Sequence, residues 1–286
     1  MSAATDDAVG FVGVGNMGSA MALRVLGQGG AVIAFDPVAA ACQRLADAGA
    51  TIVESPAAVA ARCSVVSVVV NTDRQVRDAL MSDVGLISGG AQGCVAIIHS
   101  TIHLETLQEV AAAGVVRGTT VVDGAVTGGP DAAQRGELAV MLGGDPAILD
   151  SIRPSLSHYA SLIIRVGDLG AGMSAKIALM VVSFGKIAVA YEGMQLAHAA
   201  GVNLTEFARI VAHSERQSGM HDFFLHERTQ RFADDYAGPL RDIARHESPK
   251  SQKDLHAAME LAQRVGLALP LTEIAHDLMP AVWGTE

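Results

Sequence analysis

The sequence predicts an α/β chain: a doubly wound parallel sheet in the N-terminal part, followed by an all-α C-terminal domain. Three observations predict it. Short apolar runs alternate with segments of helical spacing as far as Val166. The runs are apolar throughout instead of alternating with polar residues, as strands covered on both faces require. Beyond the glycine-rich stretch Gly167-Asp168-Leu169-Gly170-Ala171-Gly172 no run of strand character remains.

The predicted strands are Val9–Val14, Ala31–Phe35, Val65–Val70, Val95–His99 and Thr120–Asp123, with Leu138–Leu142 and Leu162–Val166 after them. The predicted helices between them are Met17–Gln28, Pro37–Ala48, Asp73–Met81, Leu104–Ala113 and Pro146–Leu156. Met173–Ala200 reads as one helix about 40 Å long. It is apolar on nearly all sides, so it is expected to be buried and not half exposed. Asn203 opens the next helix, with Glu206 three positions later as in a capping box. Ser251–Val265 and Pro270–Val282 follow, and Pro270 suits a first helical position. A boundary near Asp168 gives two domains, 1–168 and 169–286.

The 286 residues carry a formal net charge of −10, and half of them are hydrophobic. A core of useful size is available, and an acidic chain without a basic run disfavours nucleic acid and anionic membranes as partners. A small anionic ligand is still allowed, because a local cation can outweigh the global field. The longest apolar stretch, Ile177–Gly185, is bounded by Lys176 and Lys186 and is shorter than the ~20 residues of a membrane span. The start, Met-Ser-Ala-Ala-Thr-Asp-Asp, lacks the basic and apolar regions of a secretory signal. Cys42, Cys63 and Cys94 form no CxxC pair and are expected as free thiols in a reducing cytoplasm. The histidines show no ligand spacing, and no metal is expected.

Gly13-Val14-Gly15-Asn16-Met17-Gly18 follows the first strand and opens the first helix. Gly13 permits the tight turn, Gly15 lets a pyrophosphate approach the backbone, and Gly18 lets helix and strand pack closely. The helix N-terminus offers oriented N–H groups to the anion. A bare GxGxxG is also compatible with an ordinary glycine turn; here strand and helix stand on the correct sides of it. Asp36 ends the second strand eighteen residues after Gly18, placed to accept hydrogen bonds from an adenosine ribose. The pattern is that of a Rossmann domain. A carboxylate at Asp36 repels a 2′-phosphate, and Pro37-Val38-Ala39-Ala40 offers no cation to hold one, so NAD is favoured over NADP. The competing reading is that Asp36 only caps the following helix.

Several further motifs stand in a fixed order: Ser100-Thr101-Ile102; Asp123-Gly124-Ala125-Val126-Thr127-Gly128-Gly129; Gly136-Glu137-Leu138 with Gly143-Gly144; Gly170-x-Gly-x3-Lys176; and Lys253-Asp254-Leu255. With Gly10–Gly18, they resemble the β-hydroxyacid dehydrogenase family, which includes 3-hydroxyisobutyrate dehydrogenase and tartronate semialdehyde reductase. The resemblance covers nearly the whole chain. It implies that Val70, Asn71, Gln75 and Thr101 line the nicotinamide side of the NAD cleft, alongside Gly13, Gly15, Asn16, Met17, Gly18 and Asp36 at the phosphates and ribose. It implies that Thr127, Gly128 and Gly129 hold a substrate carboxylate, that Lys253 closes over cofactor and substrate, and that Lys176 is the general acid–base. A lysine can exchange the hydroxyl proton while hydride moves, if burial lowers its pKa.

Each of these residues also has a plainer reading. A lysine near a helix start is usually solvated, but Lys176 lies in an otherwise apolar helix after a glycine bend. Thr127-Gly-Gly alone is a turn; between a strand and a helix it can form an anion nest. Lys253 alone is a surface residue, and its role rests on the resemblance. One position departs from the family: the asparagine usual four residues after the lysine is Met180 here. Methionine donates no hydrogen bond, which implies a less polar substrate, a donor from elsewhere, or loss of ordinary hydroxyacid activity. Glu215–Arg231 carries Arg216, His221, Phe223, Phe224, His226, Arg228 and Arg231. This reads as a solvated helix, with Arg216 or His221 as alternative contacts to an anionic substrate.

The resemblance thus implies an NAD-dependent oxidoreductase acting on a small 3-hydroxy acid or its semialdehyde, with 1–168 as its NAD-binding domain. Residues 169–286 would be its helical substrate and dimerisation domain. A homodimer or an assembly of dimers is expected, since the long apolar helix exceeds what a small domain can cover. Two alternatives remain. Imine reductases share this architecture but commonly carry aspartate or tyrosine where Lys176 stands; Lys176 argues against them and Met180 leaves them open. A non-enzymatic nucleotide-binding module would keep the glycine loop without needing Lys176, Thr127 and Lys253 together.

Overall fold

The computed structural model describes residues 8–89, 93–218 and 240–283. Its elements run β1 (Val9–Val12), α1 (Asn16–Gly27), β2 (Val32–Phe35), α2 (Ala39–Asp47), β3 (Thr51–Ile52), α3 (Pro56–Ala60), β4 (Val65–Val68), α4 (Asp73–Met81), β5 (Val95–Ile98) and α5 (Leu104–Arg117). Then come β6 (Thr120–Thr127), α6 (Gly129–Arg135), β7 (Leu138–Gly143), α7 (Pro146–Ser157) and β8 (Ala160–Gly167). Among the described residues four helices follow: α8 (Ala171–Ala199), α9 (Leu204–Ser218), α10 (Leu240–Arg264) and α11 (Pro270–Trp283). The fold is a Rossmann-like α/β sheet followed by an all-helical part. Two compact units divide inside α8, one reaching to Met180 and the other starting at Val181.

The eight strands are ordered β3-β2-β1-β4-β5-β6-β7-β8. The order reverses between β1 and β4, which opens a crevice at their C-terminal ends. Neighbouring residues of one strand fall into different apolar clusters. Phe11 and Ile97 pack with Met21, Leu45, Leu142 and Tyr159, whereas Val12 and Ile98 pack with Val68, Leu80, Leu107 and Met173. The sheet is therefore covered on both faces, as its continuous apolar runs require. One pairing corrects the expectation of a parallel sheet: β6 and β7 are antiparallel, with Thr127 opposite Ala139. A parallel return needs a crossover of about a dozen residues or more. The link between β6 and β7 is a glycine turn and the short α6, so the chain reverses.

The chain also forms elements that the apolar pattern did not predict: strand β3, helices α3 and α6, and the first half of helix α10. β6 extends four residues beyond the predicted Asp123, to Thr127.

α8 is the single long helix that Met173–Ala200 predicted, but two expectations about it are corrected. It is not too short to span: isolated lysines do not interrupt an apolar helix, and α8 is long and apolar enough by length and composition to cross a membrane, with a mean hydropathy of 1.6 over its most apolar window. Nor is it buried: only 6% of that window is covered, and Val181, Phe184 and Ile187 are 72%, 64% and 65% exposed. In the second unit, Asn203 Oδ1 accepts from the N–H groups of Thr205 and Glu206 at 2.9 and 3.2 Å and caps α9. Glu206 turns to Arg209 at 2.8 Å, so only the asparagine half of the expected capping box is seen. The buried Glu192 caps α11, accepting from Leu271 N at 2.8 Å and Thr272 N at 3.0 Å.

Candidate functional site

At the crevice lies a cavity of about 1090 Å³, whose lining residues, among those described, all belong to the first unit. Its floor is the glycine loop. Gly13 has φ +88°, which only glycine adopts without strain, and a Cβ there would meet the Val69 backbone. A Cβ on Gly18 would strike the Gly13 carbonyl. At Gly15 there is open space within 4 Å of where a Cβ would stand. Gly15 is also the N-cap of α1 and supplies no side-chain hydrogen bond. The first N–H groups of α1 are thus left for an anion in the cavity. This geometry fits a dinucleotide pyrophosphate, with Gly15, Asn16 and Met17 on the lining.

Asp36 lines the same cavity at the end of β2. Its Oδ2 accepts from Val14 N at 2.8 Å and its Oδ1 from Val38 N at 2.9 Å. It therefore braces both the glycine loop and the turn into α2. Each carboxylate oxygen keeps a lone pair for a ribose hydroxyl.

Beyond β4, Val70, Asn71, Gln75 and Thr101 also line the cavity. Ser100 Oγ accepts from Val70 N at 2.9 Å, tying the loop after β5 to the loop after β4. The Gln75 carbonyl oxygen is committed to a capping box, accepting from Thr72 N at 3.2 Å while Thr72 Oγ1 accepts from Gln75 N at 3.2 Å, and it also accepts from Asn71 N at 2.9 Å. Gln75 thus shapes the loop as well as facing the cavity.

Sequence reasoning missed what lies beneath. His99 is buried, and its Nδ1 donates to the Gly124 carbonyl. That fixes Nε2 as an acceptor, 3.2 Å from both Ser67 Oγ and Tyr159 Oη, which are 3.1 Å apart. Burial lowers the His99 pKa to about 4, against the opposing effect of the Gly124 bond. The imidazole is neutral and clamps β4, β5, β6 and the start of β8. The available signal was a histidine directly after an apolar run.

The substrate side is built from β6 and α8. Gly128 and Gly129 have φ +128° and +79° and sit with Thr127 on the lining. Lys176 reaches the same cavity from α8. Burial lowers its pKa, and among the described residues no carboxylate pairs with it. Asp123 is wholly buried and accepts from Gly170 N at 2.8 Å and Met173 N at 2.7 Å, at the N-terminus of α8.

The cavity therefore brings together Gly13, Gly15, Asn16, Met17, Asp36, Val70, Asn71, Gln75, Thr101, Thr127, Gly128, Gly129 and Lys176. Gly18 lies just behind the lining, inside α1. Met180 is half-buried, one turn beyond Lys176 and outside the lining residues. Lys253 stands exposed on α10 in the second unit, 3.1 Å from Asp254. Arg216 is exposed on α9. His221, Phe223, Phe224, His226, Arg228 and Arg231 lie outside the described residues. Cys42, Cys63 and Cys94 are free and buried, away from the cavity lining, and burial pushes the Cys63 and Cys94 thiols up to about 12.

In comparison with known proteins, two family models match the chain in succession. The NAD binding domain of 6-phosphogluconate dehydrogenase matches residues 8–167. The NAD-binding domain of NADP-dependent 3-hydroxyisobutyrate dehydrogenase matches residues 170–284. An uncharacterized oxidoreductase of Mycobacterium tuberculosis is 34% identical, over 96% of this chain and 93% of its own length. A solved structure from Mycobacterium avium, described as an oxidoreductase, has a TM-score of 0.84 at 34% identity, covering 96% of this chain and 98% of that one. The 3-hydroxyisobutyrate dehydrogenase of M. tuberculosis, solved with L-serine, has a TM-score of 0.66 at 26% identity, covering 97% and 94%.

Proposed function

Because the chain belongs to the 3-hydroxyisobutyrate dehydrogenase-like family of NAD-binding oxidoreductases, we propose that it moves hydride between NAD and a small 3-hydroxy acid or its semialdehyde, with Lys176 as the general acid–base. One observation carries the reading. A lysine whose pKa is lowered by burial lines the same cavity as an uncapped glycine-loop helix and the Thr127-Gly128-Gly129 turn.

NAD, when bound along Gly13–Gly18 and Asp36, supplies the hydride acceptor or donor. The Thr127 hydroxyl and the N–H groups of Gly128 and Gly129 hold the substrate carboxylate. In oxidation, neutral Lys176 Nζ accepts the hydroxyl proton as hydride leaves the carbinol carbon; in reduction, the ammonium returns it. Burial favours the neutral amine, the form that acts as base. In this reading Lys253 closes over cofactor and substrate, and Met180 borders the substrate. An imine reductase is disfavoured by the same lysine.

A second copy of the chain is the cover proposed for α8. A bilayer is the poorer choice. Any span of about 20 residues within α8 contains Lys186 and at least one of Lys176 and Glu192, and ionisable groups at that depth are costly.

The test is turnover of 3-hydroxyisobutyrate, L-serine, glycerate, 2-(hydroxymethyl)glutarate and a cyclic imine with NAD, by wild type and Lys176→Ala. Expected is oxidation of at least one acid, with a loss of roughly 10²–10⁴-fold in the variant and NAD affinity retained. Wild-type turnover by Lys176→Ala, or activity confined to the imine, would overturn the proposal.

A further inference from the structure

We infer that Asp123 is a positioning residue for Lys176: its carboxylate bonds to Gly170 N and Met173 N and so fixes where the first turn of α8 delivers the lysine. The inference rests on Lys176 being the acid–base, as proposed above.

A carboxylate in the middle of a sheet is costly unless both oxygens are engaged. Asp123 is 0% exposed on β6, and each oxygen takes one backbone N–H, at 2.8 Å from Gly170 and 2.7 Å from Met173. These two donors stand at the positive end of a 29-residue helix, where a negative charge is favoured. The cradle around the carboxylate is made of glycine. A Cβ on Gly172 would come within 2.9 Å of Asp123 Oδ2, and one on Gly143 within 2.8 Å of its Cγ. Gly170 itself has φ +93°, so the bend that aims its N–H at Asp123 needs a glycine. The spacing Gly170-x-Gly172 is thereby accounted for without any direct role in substrate binding.

β6 makes this anchor matter to the chemistry. Asp123 and Thr127 lie on the same face of this strand, four residues apart, about 13 Å at 3.3 Å per residue. Asp123 holds the start of α8, and Lys176 follows Met173 by three residues, about one turn. Thr127 leads into Gly128 and Gly129, which line the cavity with Lys176. A single strand, held to β5 by His99 through Gly124, therefore sets the separation between the proton acceptor and the turn on the substrate side. A misplacement of about 1 Å can cost on the order of 10²-fold in rate.

The test variant is Asp123→Asn, which keeps the shape but turns an N–H toward one of the two backbone donors. With whichever acid of the panel is oxidised, kcat is expected to fall about 10- to 100-fold, while KM and the NAD dissociation constant stay within about twofold. Exogenous methylamine should bypass the anchor, because it is not carried by α8. In the Lys176→Ala background, methylamine-rescued turnover should be nearly the same with and without Asp123→Asn. A proportional fall in rescued turnover, or an unchanged kcat in Asp123→Asn alone, overturns the inference. A Lys176→Ala variant as active as wild type overturns the lysine reading instead. A measurement that needs neither rescue nor substrate is the pH dependence of Lys176 acetylation by acetic anhydride, followed by mass spectrometry. Its midpoint should move by about 0.5 pH or more in Asp123→Asn, in a variant that still unfolds cooperatively, though at a lower thermal midpoint because one buried N–H loses its acceptor. An unmoved profile counts against the inference.

Discussion

Asp36 grips Val14 across the mouth of the cofactor cavity: its Oδ2 accepts from the Val14 N–H at 2.8 Å. The residue expected to read the ribose is thus also the brace of the loop expected to hold the phosphates. The other oxygen holds Val38 N at 2.9 Å, so the carboxylate cannot swing aside for a 2′-phosphate. NAD is expected to bind more tightly than NADP, by calorimetry with both nucleotides. Asp36→Ala should weaken NAD and lower the NAD-to-NADP preference by about tenfold or more, a change of about 1.4 kcal/mol in discrimination. Tighter NADP binding by the wild type would contradict the reading.

His99 makes stability depend on pH. Its ordinary pKa of 6.5 falls to about 4 in the folded chain, first because of burial. Between those values the unfolded chain binds the proton and the folded chain does not. Stability from this group is therefore fully present above about pH 6.5 and is lost as pH falls toward 4, by on the order of 3 kcal/mol in total. Denaturant unfolding of the wild type across that window should show the loss. His99→Gln, less stable at neutral pH, should show a shallower dependence. An identical slope in both proteins would remove His99 as its source.

The apolar stripe of α8 should join two copies. Ile177, Val181, Phe184 and Tyr191 recur at spacings of four, three and seven residues, and all are exposed. Such a seam is the pattern of helix pairing. Light scattering at micromolar concentration should give a dimer or a multiple of it. Phe184→Glu with Val181→Glu should shift the protein toward monomer. A monomeric wild type would refute this.

Legibility in the sequence followed how local each signal is. The start of α4 is encoded locally, by a capping box of Thr72 and Gln75 within four residues. The glycine loop was readable because Gly13 and Gly18 answer to the packing of a single turn. β3 was not, since Thr51 and Ile52 are held in the sheet by pairing with Ile33 and Ala34. The direction of β7 was hidden because an apolar run carries no sign of strand polarity. The triangle of Ser67, His99 and Tyr159 joins residues up to 92 apart in sequence, and no spacing rule reaches that far. In α8 the composition was legible but the exposure was not, because apolar side chains look alike whether their neighbours come from the same chain or not. Lys176 stood out as a cation in an apolar helix, whereas the anchor beneath it, Asp123, was legible only as one letter of a motif.

Met180 is expected to set substrate preference without affecting the cofactor. It stands four residues after Lys176 on α8, so the two side chains leave the helix from one face. It is half-buried and lies outside the residues lining the dinucleotide cavity, so replacing it should leave NAD affinity unchanged. Its thioether offers a flexible apolar wall and no donor for a compact polar substrate. Met180→Asn would restore an amide at the position, and one hydrogen bond to substrate is worth on the order of 1 kcal/mol. The expected result is a several-fold rise in relative kcat/KM for L-serine and glycerate against bulkier, less polar 3-hydroxy acids. The measurement is kcat/KM for each acid with NAD saturating, alongside NAD calorimetry. If the ranking is unchanged while the variant stays folded, Met180 packs within its helix environment and does not select the substrate. If NAD affinity falls with it, the side chain contributes to the cofactor cavity, contrary to its position outside the lining.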